Sequence, residues 1–185
     1  MPRFPVLGLS LLLALASALP AKAAGFASVF GGRVPCVEQE GVQFCEGSVD
    51  RRVESFDGVP LDVNVTLPPA SASGPWPVIV QLHGWSAGKS GGVFTSRAKD
   101  GYVVVAYTAR GFHASCGSDE ARAPDPALAE PNVCAERGWT HLSDARFEAR
   151  DTRYLIGLLV DEGIADPAHV GVTGASYGGG QSLIL

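Results

Sequence analysis

Residues 170–180, which read VGVTGASYGGG, decide the fold of this 185-residue chain. Their centre, Gly174 to Gly178, matches the pattern G-x-S-x-G, and the β-branched run Val170 to Thr173 leads directly into it. Small residues surround Ser176, as a tight and strained turn requires, because larger side chains would clash with the neighbouring strand and helix. The stretch therefore predicts a nucleophile elbow, with Ser176 between a strand and a helix, in preference to an ordinary glycine-rich turn.

Apolar strand-like runs alternate with helix-like segments along most of the chain. In order, the pattern predicts a hairpin over residues 49–67 turning at Asp57-Gly58, a strand at 78–82, a helix at 94–99, a strand at 102–107, a helix at 144–161 and a strand at 170–173. This order indicates a mostly parallel sheet, with strands buried on both faces, behind an antiparallel edge hairpin. Together with the elbow it predicts an α/β-hydrolase fold over residues 48–185, truncated just after the elbow.

A second G-x-S-x-G match, Gly84 to Gly88, also follows a predicted strand. The residues after it, Lys89 to Gly92, are a poor helix start, whereas an elbow needs a helix immediately after its serine. In α/β-hydrolases the loop after this early strand supplies a backbone N–H group to the oxyanion hole. We therefore expect the N–H groups of Trp85 and Tyr177 to be the oxyanion donors, and Ser86 is the alternative nucleophile.

Nucleotide and nucleic-acid binding are both disfavoured. The loop at His83 to Ser90 differs by one residue from a phosphate-binding loop, which requires glycine where His83 stands, and Gly91-Gly92 would break the helix that such a loop opens. The formal charge is −5, and the chain has no run of Lys and Arg for binding phosphate backbones.

The general base for Ser176 is missing from the sequence pattern. The chain has four histidines, all before Ser176: His83, His113, His141 and His169. In this fold the triad runs serine, then acid, then histidine, and the nine residues after Ser176 include no Asp, Glu or His. We expect the triad acid and histidine beyond Leu185, and the 185-residue chain alone to be inactive and poorly stable. Asp125 and His141 follow Ser86 in the required order.

The N-terminus has the pattern of a secretory signal peptide. Arg3 supplies a positive charge, Val6 to Leu15 form an apolar core, and Ala21-Lys22-Ala23 fits a cleavage site. The alternative is a membrane anchor, but the apolar run is shorter than the ~20 residues that span a bilayer. We expect residues 1–23 to be removed and the protein to be secreted or periplasmic.

Four cysteines follow the predicted cleavage site, and an even number in an exported chain indicates disulfides. Because short loops cost least to close, we expect Cys36 to pair with Cys45 and Cys116 with Cys134. Zinc is the alternative, but no C-x-x-C spacing is present, and we expect no metal site. Residues 24–47 read as an irregular stapled segment, and residues 114–138 as a long loop of the kind that carries function.

From about residue 49 onward, the sequence resembles the X-prolyl dipeptidyl aminopeptidase and cocaine-esterase-like family of serine hydrolases. The resembling pieces are residues 61–68 (LDVNVTLP), 78–84 ending in His83-Gly84, 109–112 (ARGF), 158–160 and 174–179 (GASYGG). The resemblance implies that Ser176 is the nucleophile, that the Tyr177 N–H group is an oxyanion donor, and that Arg110-Gly111 lies in a loop lining the site. Many members place a Tyr hydroxyl in the oxyanion loop, where this sequence has Trp85.

These observations predict a secreted serine hydrolase that cleaves small-molecule esters or peptides through an acyl-enzyme on Ser176. Such chemistry needs no metal or organic cofactor. Two alternatives come from other classes: a non-catalytic secreted binding protein on a truncated hydrolase fold, and an exported structural or adhesion module stapled by disulfides.

Overall fold

The computed structural model describes residues 25–185, and the predicted signal peptide lies outside this range. Within it, no helix is both long enough and apolar enough to cross a membrane.

A seven-stranded mixed sheet forms the centre of the described chain. Its strands are β1 (Ser28–Val29), β2 (Val34–Gln39), β3 (Val42–Glu46), β6 (Val63–Leu67), β7 (Trp76–Leu82), β8 (Val103–Tyr107) and β9 (Ala165–Gly174). They lie in the order β1-β2-β3-β6-β8-β7-β9, and a separate two-stranded sheet pairs β4 (Val53–Glu54) with β5 (Pro60–Leu61). The helices are α1 (Thr95–Lys99), α2 (Asp119–Arg122), α3 (Val133–Arg137), α4 (Glu148–Asp161) and α5 (Tyr177–Ile184).

The parallel part of the sheet consists of β8, β7 and β9. Both pairings of β7 are parallel, so the carboxyl ends of these three strands lie at one edge. The central strand β8 is valine-rich and buried at all five positions, as predicted for a strand covered on both faces. In β7 burial alternates, and Ile79 and Gln81 are only half-buried, so the expected burial on both faces is wrong for that strand. The crossovers through α1 and α4 place the loop after β7 beside the turn after β9.

Two expectations for the N-terminal part are wrong. The described part of the segment predicted to be irregular, residues 25–47, contains an antiparallel hairpin of β2 and β3 that turns at Glu40 and Gly41, both with positive φ. This hairpin continues the main sheet, since β3 pairs with β6. The predicted hairpin over 49–67 is reduced to β4 and β5, while β6 separates from it and joins β3 and β8. The antiparallel edge of the main sheet is therefore built by the cysteine-bearing segment.

Disulfide bonds join the two cysteine pairs expected from the sequence. Cys36 and Cys45 face each other across β2 and β3, with their Cα atoms 3.9 Å apart. Cys116 and Cys134 connect the segment after β8 to α3, with their Cα atoms 5.1 Å apart. The predicted long loop over 114–138 is thus divided by two short helices and closed by a covalent bond.

Candidate active site

Ser176 stands in the sharp turn between β9 and α5. Its backbone has φ 55° and ψ −119°, a combination that non-glycine residues rarely adopt, and its side chain is exposed. The turn also needs glycine at position 178, because a Cβ atom there would lie 2.6 Å from the carbonyl oxygen of Leu82. The sequence therefore folds into a strained strand–turn–helix unit that presents one hydroxyl group at the carboxyl edge of the sheet.

The loop after β7 lies directly beside this turn. Leu82 at the end of β7 is in register with Gly174 at the end of β9. A Cβ atom built on Gly84 would lie 3.8 Å from the Cβ atom of Ser176. The structure thus brings together the two segments expected to form the oxyanion hole, although the roles of Trp85 and Tyr177 remain predictions.

Four aromatic rings form a cluster next to Ser176. The Trp85 ring packs edge-on against Phe112 and Tyr177, with centroids 5.1 and 5.4 Å apart, and Phe112 lies 5.5 Å from Tyr177. His83 packs edge-on against Phe112 at 5.3 Å. Because the Trp85 side chain remains 53% exposed, the cluster presents apolar surface to solvent beside Ser176. Phe112 was not singled out from the sequence, although it lies in the ARGF motif.

His83 has a structural position, since both ring nitrogens are bonded to backbone groups. The Ala109 N–H group donates to Nε2 at 2.9 Å, and Nδ1 lies 2.8 Å from the carbonyl oxygen of Gly84. As Nε2 must accept, Nδ1 carries the proton and the ring is neutral. Burial lowers the pKa of His83 below its ordinary value, and nearby His113 lowers it further, whereas the bond to Gly84 raises it. His83 therefore fixes the loop after β7 to the end of β8.

The second G-x-S-x-G match does not form an elbow. No helix follows Ser86 directly, because α1 begins only at Thr95. The proposed partners of Ser86 are also engaged elsewhere, since Asp125 forms an ion pair with Arg52 at 2.8 Å and the His141 ring stacks on Phe147. Ser86 also has a positive φ of 60°, but it lacks both the helix that follows an elbow and the triad that it needs.

Lys89 belongs to the loop that differs by one residue from a phosphate-binding loop, and its side chain points into the protein. Its Nζ atom lies 2.6 Å from Oδ1 of Asp62, and it donates to Oδ1 of Asn64 at 2.5 Å and to the carbonyl oxygen of Gly47 at 2.8 Å. An ammonium group with these partners is not available to a phosphate. Residues 64–66 also match the glycosylation pattern N-x-[ST], but Asn64 is buried in β6.

The Arg110 side chain points into the core, although the loop that carries it also contributes Phe112 to the aromatic cluster beside Ser176. The Arg110 side chain is fully buried and pairs with two carboxylates, those of Asp57 and Asp151. Four nitrogen–oxygen distances between 2.5 and 3.0 Å make both pairs two-pronged. Burial raises the pKa of Asp151, whereas Arg110 and the 2.5 Å hydrogen bond from Ser55 oppose that shift.

Glu148 is a buried carboxylate that no sequence signal indicated. It accepts hydrogen bonds from the backbone N–H groups of His141 (2.6 Å) and Asp144 (2.9 Å), which fixes the loop before α4. The Tyr177 hydroxyl lies 3.3 Å from Glu148 and 3.1 Å from the Thr140 hydroxyl. Burial raises the pKa of Tyr177 to about 12, and the charge of Glu148 adds to that rise. Glu148 thus connects the side chain after the nucleophile to the loop before α4.

Residues 57–185 match the model of the X-Pro dipeptidyl-peptidase (S15) family. The match covers more than half of the chain and includes both segments that meet at Ser176. The chain belongs to the S15 family. The resemblance predicted from the sequence is therefore confirmed, whereas a comparison with curated proteins gives no match.

Solved structures show the same fold as this S15 chain. A puromycin-hydrolyzing peptidase from Mycobacterium tuberculosis is 22% identical, with a TM-score of 0.51 over 72% of this chain and 19% of that chain. An acetyl xylan esterase from Paenibacillus sp. R4 is 20% identical, with a TM-score of 0.52 over 82% of this chain and 48% of that chain. A cold-adapted esterase from an Arctic intertidal metagenomic library is 18% identical, with a TM-score of 0.51 over 80% of this chain and 57% of that chain. The predicted α/β-hydrolase fold is confirmed, and the S15 chain spans less than two thirds of each of these proteins.

Within residues 25–185 of the S15 chain, no histidine forms a hydrogen bond with Ser176. His83 is bonded at both nitrogens, the Nε2 atom of His113 lies 2.9 Å from the carbonyl oxygen of Ser86, and the exposed His169 pairs with Asp166. The same residues contain no group of three or more His, Cys, Asp or Glu side chains arranged to hold a metal ion. The described site therefore consists of a nucleophile candidate and a loop predicted to carry an oxyanion donor. The S15 family is described as X-Pro dipeptidyl-peptidases, which supports a hydrolase function.

Proposed function

We propose that this chain carries the nucleophile and the oxyanion hole of a secreted serine hydrolase, which cleaves ester or peptide bonds through an acyl-enzyme on Ser176. One observation carries the proposal: an exposed serine in a strained turn at the carboxyl edge of a parallel sheet, with a second loop in contact distance. Strained backbone persists where function requires it, and ligands of open α/β sheets bind at this edge.

The mechanism begins with attack by the Ser176 hydroxyl on the substrate carbonyl. A histidine must take the hydroxyl proton, because serine is a weak nucleophile at neutral pH. The negative oxygen of the tetrahedral intermediate then accepts hydrogen bonds from the N–H groups of Trp85 and Tyr177, a contribution of about 10²–10³ in rate per donor. Water releases the acyl group, and no metal or organic cofactor takes part. None of the histidines of residues 25–185 forms a hydrogen bond with Ser176, so the proposal requires a general base that these residues do not supply in the observed arrangement.

Secretion is the second part of the proposal. The signal-peptide pattern of residues 1–23 predicts export, and the two disulfides of the described chain fit an oxidising compartment. N-terminal sequencing of the exported protein should begin at or near Ala24. An exported protein that retains Met1 would contradict this part.

Membership in the S15 family supports our proposal that the substrates are amides or esters of X-Pro dipeptides. The experiment compares the Ser176→Ala and Ser86→Ala variants of the full-length protein, with Ala-Pro-p-nitroanilide and p-nitrophenyl acetate as substrates. Loss of the nucleophile should lower kcat by about 10⁴-fold or more, whereas Ser86→Ala should keep most of the activity. The reverse pattern would assign the nucleophile to the loop after β7. Cleavage of the ester but not the anilide would make the protein an esterase.

A further inference from the structure

Lys89 is a buried cation at the end of the loop proposed to carry an oxyanion donor. Its side chain is only 12% exposed, and its Nζ atom contacts three oxygen atoms, those of Asp62, Asn64 and the Gly47 carbonyl group. The contacts with Asn64 and Gly47 are hydrogen bonds, and the contact with Asp62 is an ion pair at 2.6 Å. Asn64 lies on β6, Asp62 directly before β6 and Gly47 directly after β3, so Lys89 fixes the loop to the antiparallel part of the sheet.

The Gly47 contact reaches outside the S15 match, which begins at residue 57. Gly47 lies two residues after Cys45, directly after the last strand of the hairpin that the Cys36–Cys45 disulfide joins. Its own position is fixed, because its N–H group donates to Oδ1 of Asn64 at 3.0 Å, and a Cβ atom there would overlap the carbonyl oxygen of Val63. Lys89 thus links the loop beside Ser176 to a disulfide-bonded segment that the family match does not include.

Two other contacts hold the two ends of the loop in place. The backbone N–H group of Lys89 donates to the hydroxyl of Thr108 at 3.0 Å, and His83 fixes the beginning of the loop through Ala109. Trp85 lies between these two anchors. An oxyanion donor is effective only when its direction is set before the reaction, since reorienting a dipole during the reaction would consume the stabilisation that it gives.

We propose that Lys89 is a positioning residue, which holds the oxyanion loop in register with Ser176 by tying it to the disulfide-bonded hairpin β2–β3. This inference rests on the proposed function. A purely structural lysine would affect only the amount of folded protein, because removing one partner of a buried ion pair destabilises the fold without acting on the transition state. A positioning lysine affects the transition state more than the bound substrate, so its loss lowers kcat and leaves KM nearly unchanged.

The test uses Lys89→Met in the full-length protein, with Lys99→Met as the matched control. Lys99 is exposed at the end of α1, so its substitution removes the same charge without a buried contact. Lys89→Met should lower kcat for p-nitrophenyl acetate by roughly 10- to 100-fold. The rate is measured well below the unfolding temperature and is corrected for the folded fraction of the protein. The affinity for an alkyl trifluoromethyl ketone, whose adduct places an oxyanion in the same hole, should fall by the same factor. Lys99→Met should change neither quantity.

A double Cys36→Ser/Cys45→Ser variant examines the hairpin separately. It should lower kcat in the same direction as Lys89→Met, by a smaller factor, because the Gly47 carbonyl group remains but is held less firmly. A Lys89→Met protein whose kcat and ketone affinity match those of Lys99→Met would overturn the inference while the hydrolase assignment stands. Wild-type protein without Ser176-dependent hydrolysis would overturn both.

Discussion

Replacing Arg110 with methionine should destabilise the domain more than any exposed charge substitution. Methionine keeps the apolar contacts of the arginine stem but removes the partner of two carboxylates. Asp151 is fully buried and would keep only its hydrogen bond from Ser55, whereas Asp57 is 15% exposed and can be partly solvated. The variant thus isolates the cost of one uncompensated buried charge.

The size of the effect follows from that burial. Breaking a buried ion pair by removing one partner costs about 3–5 kcal/mol. For a domain of this length each kcal/mol corresponds to about 2–4 °C, so Tm should fall by roughly 6–20 °C. The deficit should also depend on pH, because without Arg110 the pKa of buried Asp151 rises further above its unfolded value of about 3.9. The folded variant then takes up a proton before the unfolded chain does, so its deficit narrows as pH falls through the raised pKa.

Differential scanning calorimetry of the full-length protein at several pH values checks this prediction. Arg146→Met is the control, since Arg146 pairs with Asp144 on the surface with 80% of its side chain exposed. Adding Asp151→Asn to Arg110→Met should restore part of the lost Tm, because the buried charge is gone. A Tm decrease no larger than that of Arg146→Met, or one that Asp151→Asn deepens, would refute the account of this network.

Two further predictions concern the disulfide near the site and the neutral histidine. Replacing Cys116 and Cys134 by serine should lower the free energy of unfolding by about 2–4 kcal/mol, measured by urea unfolding; equal midpoints with and without reductant would contradict this. Because the pKa of His83 is lowered on folding, its contribution to stability is complete above the unfolded pKa of about 6.5 and is lost as pH falls toward the folded value. The urea midpoint should therefore fall more between pH 7.5 and 5 in the wild type than in His83→Asn, and an equal fall would argue against this role.

The parallel strands and the elbow could be predicted because their signals are local. Continuous apolar runs marked β8 and the core of β7, and the glycines around Ser176 marked a turn where neighbouring backbones approach closely. The hairpin β2–β3 was missed because its strands lack such a local signal. Four of the five residues of β3 are buried, so the segment lacks the alternation typical of an edge hairpin. Its one local signal was the turn at Glu40-Gly41, where both residues have positive φ.

The supporting residues of the site could not be predicted because their partners are distant in sequence. Arg110 is separated from Asp57 by 53 residues and from Asp151 by 41, and Lys89 from Gly47 by 42. No spacing rule connects such positions, and each side chain alone is typical of an exposed charge. The family resemblance placed Arg110-Gly111 correctly in a loop near the site, but only packing determines that the arginine side chain points into the core.

Labelling of the full-length protein with a fluorophosphonate, followed by mass spectrometry of the modified peptide, tests the central claim most directly. The reagent forms a bond with a serine whose hydroxyl is activated and whose oxyanion hole is formed. The account predicts a single modification on Ser176, absent from Ser176→Ala and from protein unfolded in urea. A modification on Ser86, or none on a folded protein that hydrolyses ester, would contradict it.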